Sequence, residues 1–166
     1  MANNKPLKFD NDVYDVMTEA VLALFAEYGE IIGQDIYFEQ IGKDSGYAFQ
    51  AAGGAEIITE KTTITGKVIQ SCQYPIVFIR RTNSTTERQK LHVQTFLDTL
   101  GKWICKEEVK IDGEYHRLTE YPKLSHGRTI TRVERYNSSG NDPDENGVQD
   151  WGLPLYIYYT HEFYKN

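Results

Sequence analysis

The chain is poor in cysteine and proline, with two and five of them in 166 residues, and it has no long apolar run. Cys72 and Cys105 stand far apart, with no Cys-x-x-Cys pair and no histidine at ligand spacing. That excludes a zinc knuckle or a dithiol redox motif and leaves two free thiols as the expectation. No stretch approaches the roughly 18 apolar residues of a membrane span. The first residues, Met1-Ala2-Asn3-Asn4-Lys5, lack the basic-then-apolar layout of a signal peptide, so the expected location is the cytoplasm. Positive charge is in deficit as well. A formal net charge of -6 argues against an ordinary nucleic-acid-binding surface, because duplex affinity comes mostly from lysines and arginines neutralising phosphates.

The signatures of chemistry are missing too. There is no Gly-x-Ser-x-Gly elbow, and Gly42-Lys43 and Gly66-Lys67 lack both the preceding glycine spacing and the following Ser or Thr of a phosphate loop. His92, His116, His126 and His161 are scattered, with no pair at the i to i+4 spacing that sets two nitrogens on one helical face. Nothing marks any pair of the 24 acidic residues above a solvated surface. The expectation is a non-enzyme without a cofactor.

What is present is the size and apolar content of one domain, residues 1–166, with 40% apolar residues. Twelve tyrosines lean toward an assembly component, since tyrosine carries apolar area with a polar tip suited to contacts between proteins. Val13, Met17, Ala20, Val21, Leu24, Phe25 and Tyr28 form one helical stripe, so a helix is expected over 12–28, capped by Asn11 or Asp12 and ended by Gly29. Residues 35–40 and 46–52 alternate and are joined by a Gly-rich turn, which reads as a hairpin. Residues 55–66 read as another strand or as an extended loop. Lys67 to Arg81 has the strongest strand signal, apolar on both faces as in a central strand, with Pro75 requiring a bulge or an unpaired edge. Ser84 and Glu87 fit a capping box for a second helix running to about Lys106, with the stripe Leu91, Phe96, Leu97, Leu100, Trp103 and Ile104. Residues 107–127 read as a connection with room for a short strand. Arg128 to Tyr136 reads as a peripheral strand with Thr129, Thr131, Val133 and Arg135 on one side. An acidic loop at 137–150 leads to a last strand, Leu153 to Tyr164. The expected class is α+β, a mostly antiparallel sheet with two amphipathic helices packed on one face.

Two constellations could bind something. Asp142, Asp144, Asn146, with Gly147 after them and Asp150 beyond, match the first half of a calcium loop, but Leu153 stands where a bidentate glutamate should close the shell. Acidic turns rich in Pro, Asn and Gly arise between strands for backbone reasons alone, and that reading outweighs calcium. Arg80 and Arg81 end the central strand, Arg88 lies one turn into the next helix, and Arg128, Arg132 and Arg135 lie on a later strand. Arginine forks bind carboxylates, so a repeated subunit could set Arg80, Arg81, Arg128, Arg132 and Arg135 against a neighbour's acids. Solvated or intrachain pairs are the competing reading.

The segment Gln73-Tyr74-Pro75-Ile76-Val77-Phe78-Ile79-Arg80-Arg81, with the helix end Phe96-Leu97-Asp98-Thr99-Leu100-Gly101-Lys102-Trp103-Ile104, resembles the middle of the bacteriophage tail terminator family. That family is also labelled minor capsid or tail completion protein in Gram-positive phages, prophages and phage tail-like particles. Leu153-Pro154-Leu155-Tyr156-Ile157-Tyr158-Tyr159 is similar to the family's closing strand, and the element order is similar over nearly the whole chain. The connections at 107–127 and 137–150 are long for the family. The resemblance implies a structural virion protein assembled in the host bacterial cytoplasm. It would cap the tail tube as a homo-oligomeric, hexameric ring, end tail polymerisation and form the head- or neck-proximal joining surface. The implied partners are the tail tube protein, a neck or head-tail connector protein and, in a contractile tail, the sheath. DNA would pass through an acidic lumen without specific binding. Residues 55–66 and the strand end at Arg80 and Arg81 would contact ring neighbours or the tube. The alternatives are another neck or connector subunit, or a small-ligand-binding α+β domain.

Overall fold

The computed structural model describes residues 8–33, 36, 45–83 and 86–165. Helix α1 spans Val13–Ile32 and buries Met17, Val21, Leu24, Phe25 and Tyr28. Asp12 precedes it without a side-chain capping bond, and Gly33 ends it at φ 70°. Gly29, the expected terminator, is instead a buried helical residue. The stripe continues through Ile31 and Ile32, which pack on the core, and their burial outweighs the roughly 1 kcal/mol that an interior glycine costs.

Helix α2 spans Glu87–Ile104. Its capping box lies two residues beyond the expected one: the Thr86 hydroxyl accepts from the Gln89 N–H and Gln89 Oε1 accepts from the Thr86 N–H, each at 3.2 Å. Ser84 lies outside the described residues, and exposed Glu87 pairs with Lys90. The buried stripe is Val93, Leu97, Leu100, Trp103 and Ile104 with Phe96 half-buried, whereas Leu91 is exposed.

The main sheet has the order β1 (Gly46–Ala51), β3 (Lys67–Asn83), β8 (Val148–Tyr164), β6 (Arg128–Arg135). In addition β2 (Glu56–Thr62) pairs with β3, and β7 (Ser139–Gly140) with β8. All pairings are antiparallel, and β3 and β8 are matched along their whole length. Residues 55–66 thus form mainly a strand, and its turn carries fully exposed Ile64. Residues 46–51 pair with β3; all of their expected partner 35–40 except Ile36, which is buried, lies outside the described residues. Pro75 keeps its place opposite Tyr156 with no bulge. Its carbonyl accepts from the Ala52 N–H at 2.9 Å; the return bond to Ala52 is the one proline cannot make, and the β1 pairing ends there.

β6 is an edge strand, as expected, but Val133 does not share a side with Thr129 and Thr131. A register shift between Ile130 and Arg132 resets the alternation, so Arg128, Ile130 and Val133 are buried together while Thr129 and Thr131 are exposed. A separate hairpin, β4 (Val109–Ile111) with β5 (Glu114–His116), turns through Asp112 and Gly113 at φ 50° and 83°.

Both helices lie on one face of the sheet. Phe25 of α1 stacks against Phe78 at 4.8 Å between centroids, and Tyr28 meets Trp103 and Phe96 of α2 at 5.4 and 5.7 Å. Phe78, Leu97, Leu100, Leu153, Leu155 and Ile157 fill the space between. The protein is therefore α+β, and it carries Val77, Ile79, Pro154, Tyr156 and Tyr158, all half-buried, on the opposite face, where among the described residues no helix packs. Among the described residues no helix is long and apolar enough to cross a membrane.

Candidate functional site

The polar chemistry gathers in three places around the main sheet. The most buried is a network around Asp10. The Arg128 guanidinium donates to both Asp10 oxygens at 2.9 and 2.7 Å, and the Tyr159 hydroxyl donates to Asp10 at 2.8 Å. The Arg128 and Asp10 side chains are 4% and 5% exposed. Burial works to raise the Asp10 pKa, but the hydrogen bonds from Arg128 and Tyr159, with the Arg128 charge, hold it below its ordinary value. His161 Nδ1 lies 3.9 Å from Asp10, and its pKa is lowered by burial and by the Arg128 charge. Tyr159 is pushed well up, first by burial. Cys72 beside it is raised to about 11 by burial, and Cys105 likewise to about 11, so both thiols stay protonated at neutral pH and neither is an activated nucleophile. This network fastens the segment before α1 to the sheet. Arg128, an expected interface residue, is thereby taken up inside the fold rather than presented to a neighbour.

At the end of the sheet formed by the last residues of β3 and the first of β8, Arg81 donates from Nε to Asp150 Oδ1 at 2.7 Å and from Nη2 to Oδ2 at 3.0 Å. Hydrogen bonding from Arg81 is the main reason the Asp150 pKa is lowered. The Asp150 carboxylate is therefore committed to Arg81, although its carbonyl accepts from the Asn141 N–H of the turn at 2.9 Å. Asp144 Oδ1 accepts the N–H groups of Asn146 and Val148 at 2.8 and 2.9 Å, which makes the acidic turn self-bracing. Asp142 and Asn146 are exposed at its tip. Among the described residues no three acidic, histidine or cysteine side chains converge as a metal site would require.

The third place is a cleft of about 650 Å³ between β1, the end of β3 and the first turns of α2, lined by Tyr47, Arg80, Arg81, Arg88 and His92. The Arg80 guanidinium lies over the Phe96 ring at 4.3 Å and near the Tyr47 ring at 5.6 Å. The remaining expected interface arginines are engaged at the surface. Arg132 pairs with Glu134 at 2.7 Å and lies over Tyr158 at 4.1 Å, and Arg135 pairs with Glu107 at 3.2 Å.

Sequence reasoning named Arg80, Arg81 and Arg88 but missed Asp10 and His92. Asp10 sits in a polar leader with no periodicity, and its partners are 118 and 149 residues away, a separation no local pattern reveals. His92 stands one turn after Arg88, which is the one signal that could have joined them.

No protein-family model matches the chain. No curated protein matches it either. Among solved structures, the fold is similar to a chain of the "Virion of native gene transfer agent (GTA) particle", with a TM-score of 0.55 at 10% identity, covering 91% of this chain and 99% of that one.

Proposed function

We propose that the chain is a structural, non-enzymatic virion protein that caps a tail tube as a ring, ends tube growth and forms the surface joining the tail to the head or neck. The observation that carries this reading is the shared fold with a chain of a gene transfer agent virion, which spans nearly the whole of both chains. The sequence resemblance to tail terminators points the same way. The sheet face opposite the helices, with Tyr156, Tyr158, Val77 and Ile79, supplies the aromatic and apolar area that contacts between subunits use. The net charge of -6 suits a channel that DNA passes through without sticking. The shared fold supports a neighbouring neck or connector subunit as well as a terminator, so the experiment has to separate the two.

Light scattering and electron microscopy of the purified chain, alone and mixed with its cognate tube subunit, provide that test. The expected result is a ring that seats on tube ends and limits tube length. Tubes that grow to the same length with and without the chain, with no ring at their ends, would overturn the terminator role, and rings that bind only a connector protein would favour the neck subunit.

A further inference from the structure

We propose that the arginine cleft between β1, the end of β3 and α2 receives the acidic turn Asp142–Glu145 of a second copy of this chain. The pairing deepens the ring reading and rests on it for its biological setting, while its chemistry stands on the two surfaces themselves.

The cleft is basic in a chain that is acidic as a whole. Arg81 has its fork on Asp150, so the cleft's available guanidinium groups are those of Arg80 and Arg88. Among the described residues neither forms an ion pair. Arg80 is held over Phe96 and Tyr47, which fixes its plane and leaves its N–H edge for a carboxylate. Arg88 and His92 stand one turn apart on the exposed side of α2, at its amino-terminal end, where the aligned peptide dipoles also favour negative charge. The cleft therefore suits a short segment bearing two or three carboxylates.

The acidic turn is such a segment. Asp142, Asp144 and Glu145 are all exposed, and the Asp144 carboxylate already holds the backbone of Asn146 and Val148 in place. A turn ordered before binding loses little conformational entropy when it docks. Within one chain the turn does not line the cleft. It lies on the β7–β8 side of the sheet, beside Arg81 and Asp150, whereas the cleft opens on the β1 side. The donor and acceptor surfaces adjoin at Arg81 but are distinct, and in a ring each cleft takes the turn of the next copy in a head-to-tail contact. Head-to-tail contacts close into rings when the rotation permits and form filaments when it does not. A duplex is a poorer occupant for the cleft, since the net charge of -6 repels phosphates.

The test is a charge swap on the full chain, read by analytical ultracentrifugation. One variant carries Arg88→Glu and His92→Glu; a second carries Asp142→Lys and Glu145→Lys. All four positions are exposed, and thermal melts verify that each variant folds. The parent is expected to self-associate more weakly as salt rises. Each variant alone is expected to lose self-association by about tenfold or more, because like charges then face each other. An equimolar mixture is expected to recover it, since every cleft then meets a turn of opposite sign. A parent that stays monomeric at the highest attainable concentration, variants that associate like the parent, or a mixture that fails to recover would each overturn the pairing. Tube capping is scored separately by ring formation on tube ends, so this contact can fail while the terminator reading stands, and the reverse.

Discussion

Asp10 shows at the scale of one residue how a polar side chain can hold a fold together. It accepts from Arg128 and Tyr159 with its side chain only 5% exposed, so removing it leaves the Arg128 charge largely buried without its partner. Asp10→Ala should cost about 3–5 kcal/mol in denaturant melts, while replacing the pair together, Asp10→Leu with Arg128→Met, should be close to neutral. The same cluster sets the response to acid. The Asp10 pKa is lowered in the folded chain, so its contribution is present above the ordinary carboxylate range and is lost as pH falls through the lowered value, below about pH 4. The His161 pKa is lowered as well, so the unfolded chain takes up that proton first and stability falls as pH drops below about 6.5. Melting temperature should therefore decline in two stages on acidification, and His161→Gln should remove the upper one. A single decline confined to the carboxylate range in the parent would contradict this account of His161.

Elements are positioned by a few close approaches. Gly127 enters β6 at φ 73°, and a Cβ there would collide with the Glu162 carbonyl on β8. Gly113 has a similar conformation at φ 83° but faces open space. Gly113→Ala should cost only the left-handed backbone penalty of about 1–2 kcal/mol. Gly127→Ala should cost measurably more in the same denaturant melts, because it also displaces the Glu162 N–H to Gly127 carbonyl bond at 2.9 Å. Equal losses at the two sites would show that β8 yields without cost. Most elements were legible in the sequence because their apolar period is strong, as in Met17, Val21, Leu24 and Tyr28 of α1 and in the alternation of β3. The errors lie where local signals compete. Gly29 is an ordinary helix stop, but the apolar stripe runs on to Ile32. The grouping of side chains along β6 depends on a bulge, and one extra residue moves Val133 to the face of Arg128 and Ile130.

At the scale of the whole molecule, the helices cover one face of the sheet and leave tyrosines and small aliphatics on the other, while the basic cleft and the acidic turn flank one end. Under the proposed function the chain is expected to assemble in the presence of tube protein, with salt weakening the contacts made by charge more than those made by the sheet face opposite the helices. The sequence by itself determined the class α+β, the two helices, the central strand and the charge balance, since each follows from periodicity or composition within a short window. It also placed Arg80, Arg81 and Arg88 near one another, because a strand end and a helix start are adjacent along the chain. Only the tertiary structure decided that Arg128 turns inward to Asp10, that the Asp150 carboxylate belongs to Arg81 rather than to the acidic turn, and that His92 joins the cleft. Each of those outcomes depends on register and on contacts between residues distant in sequence, and no local pattern of residues specifies either.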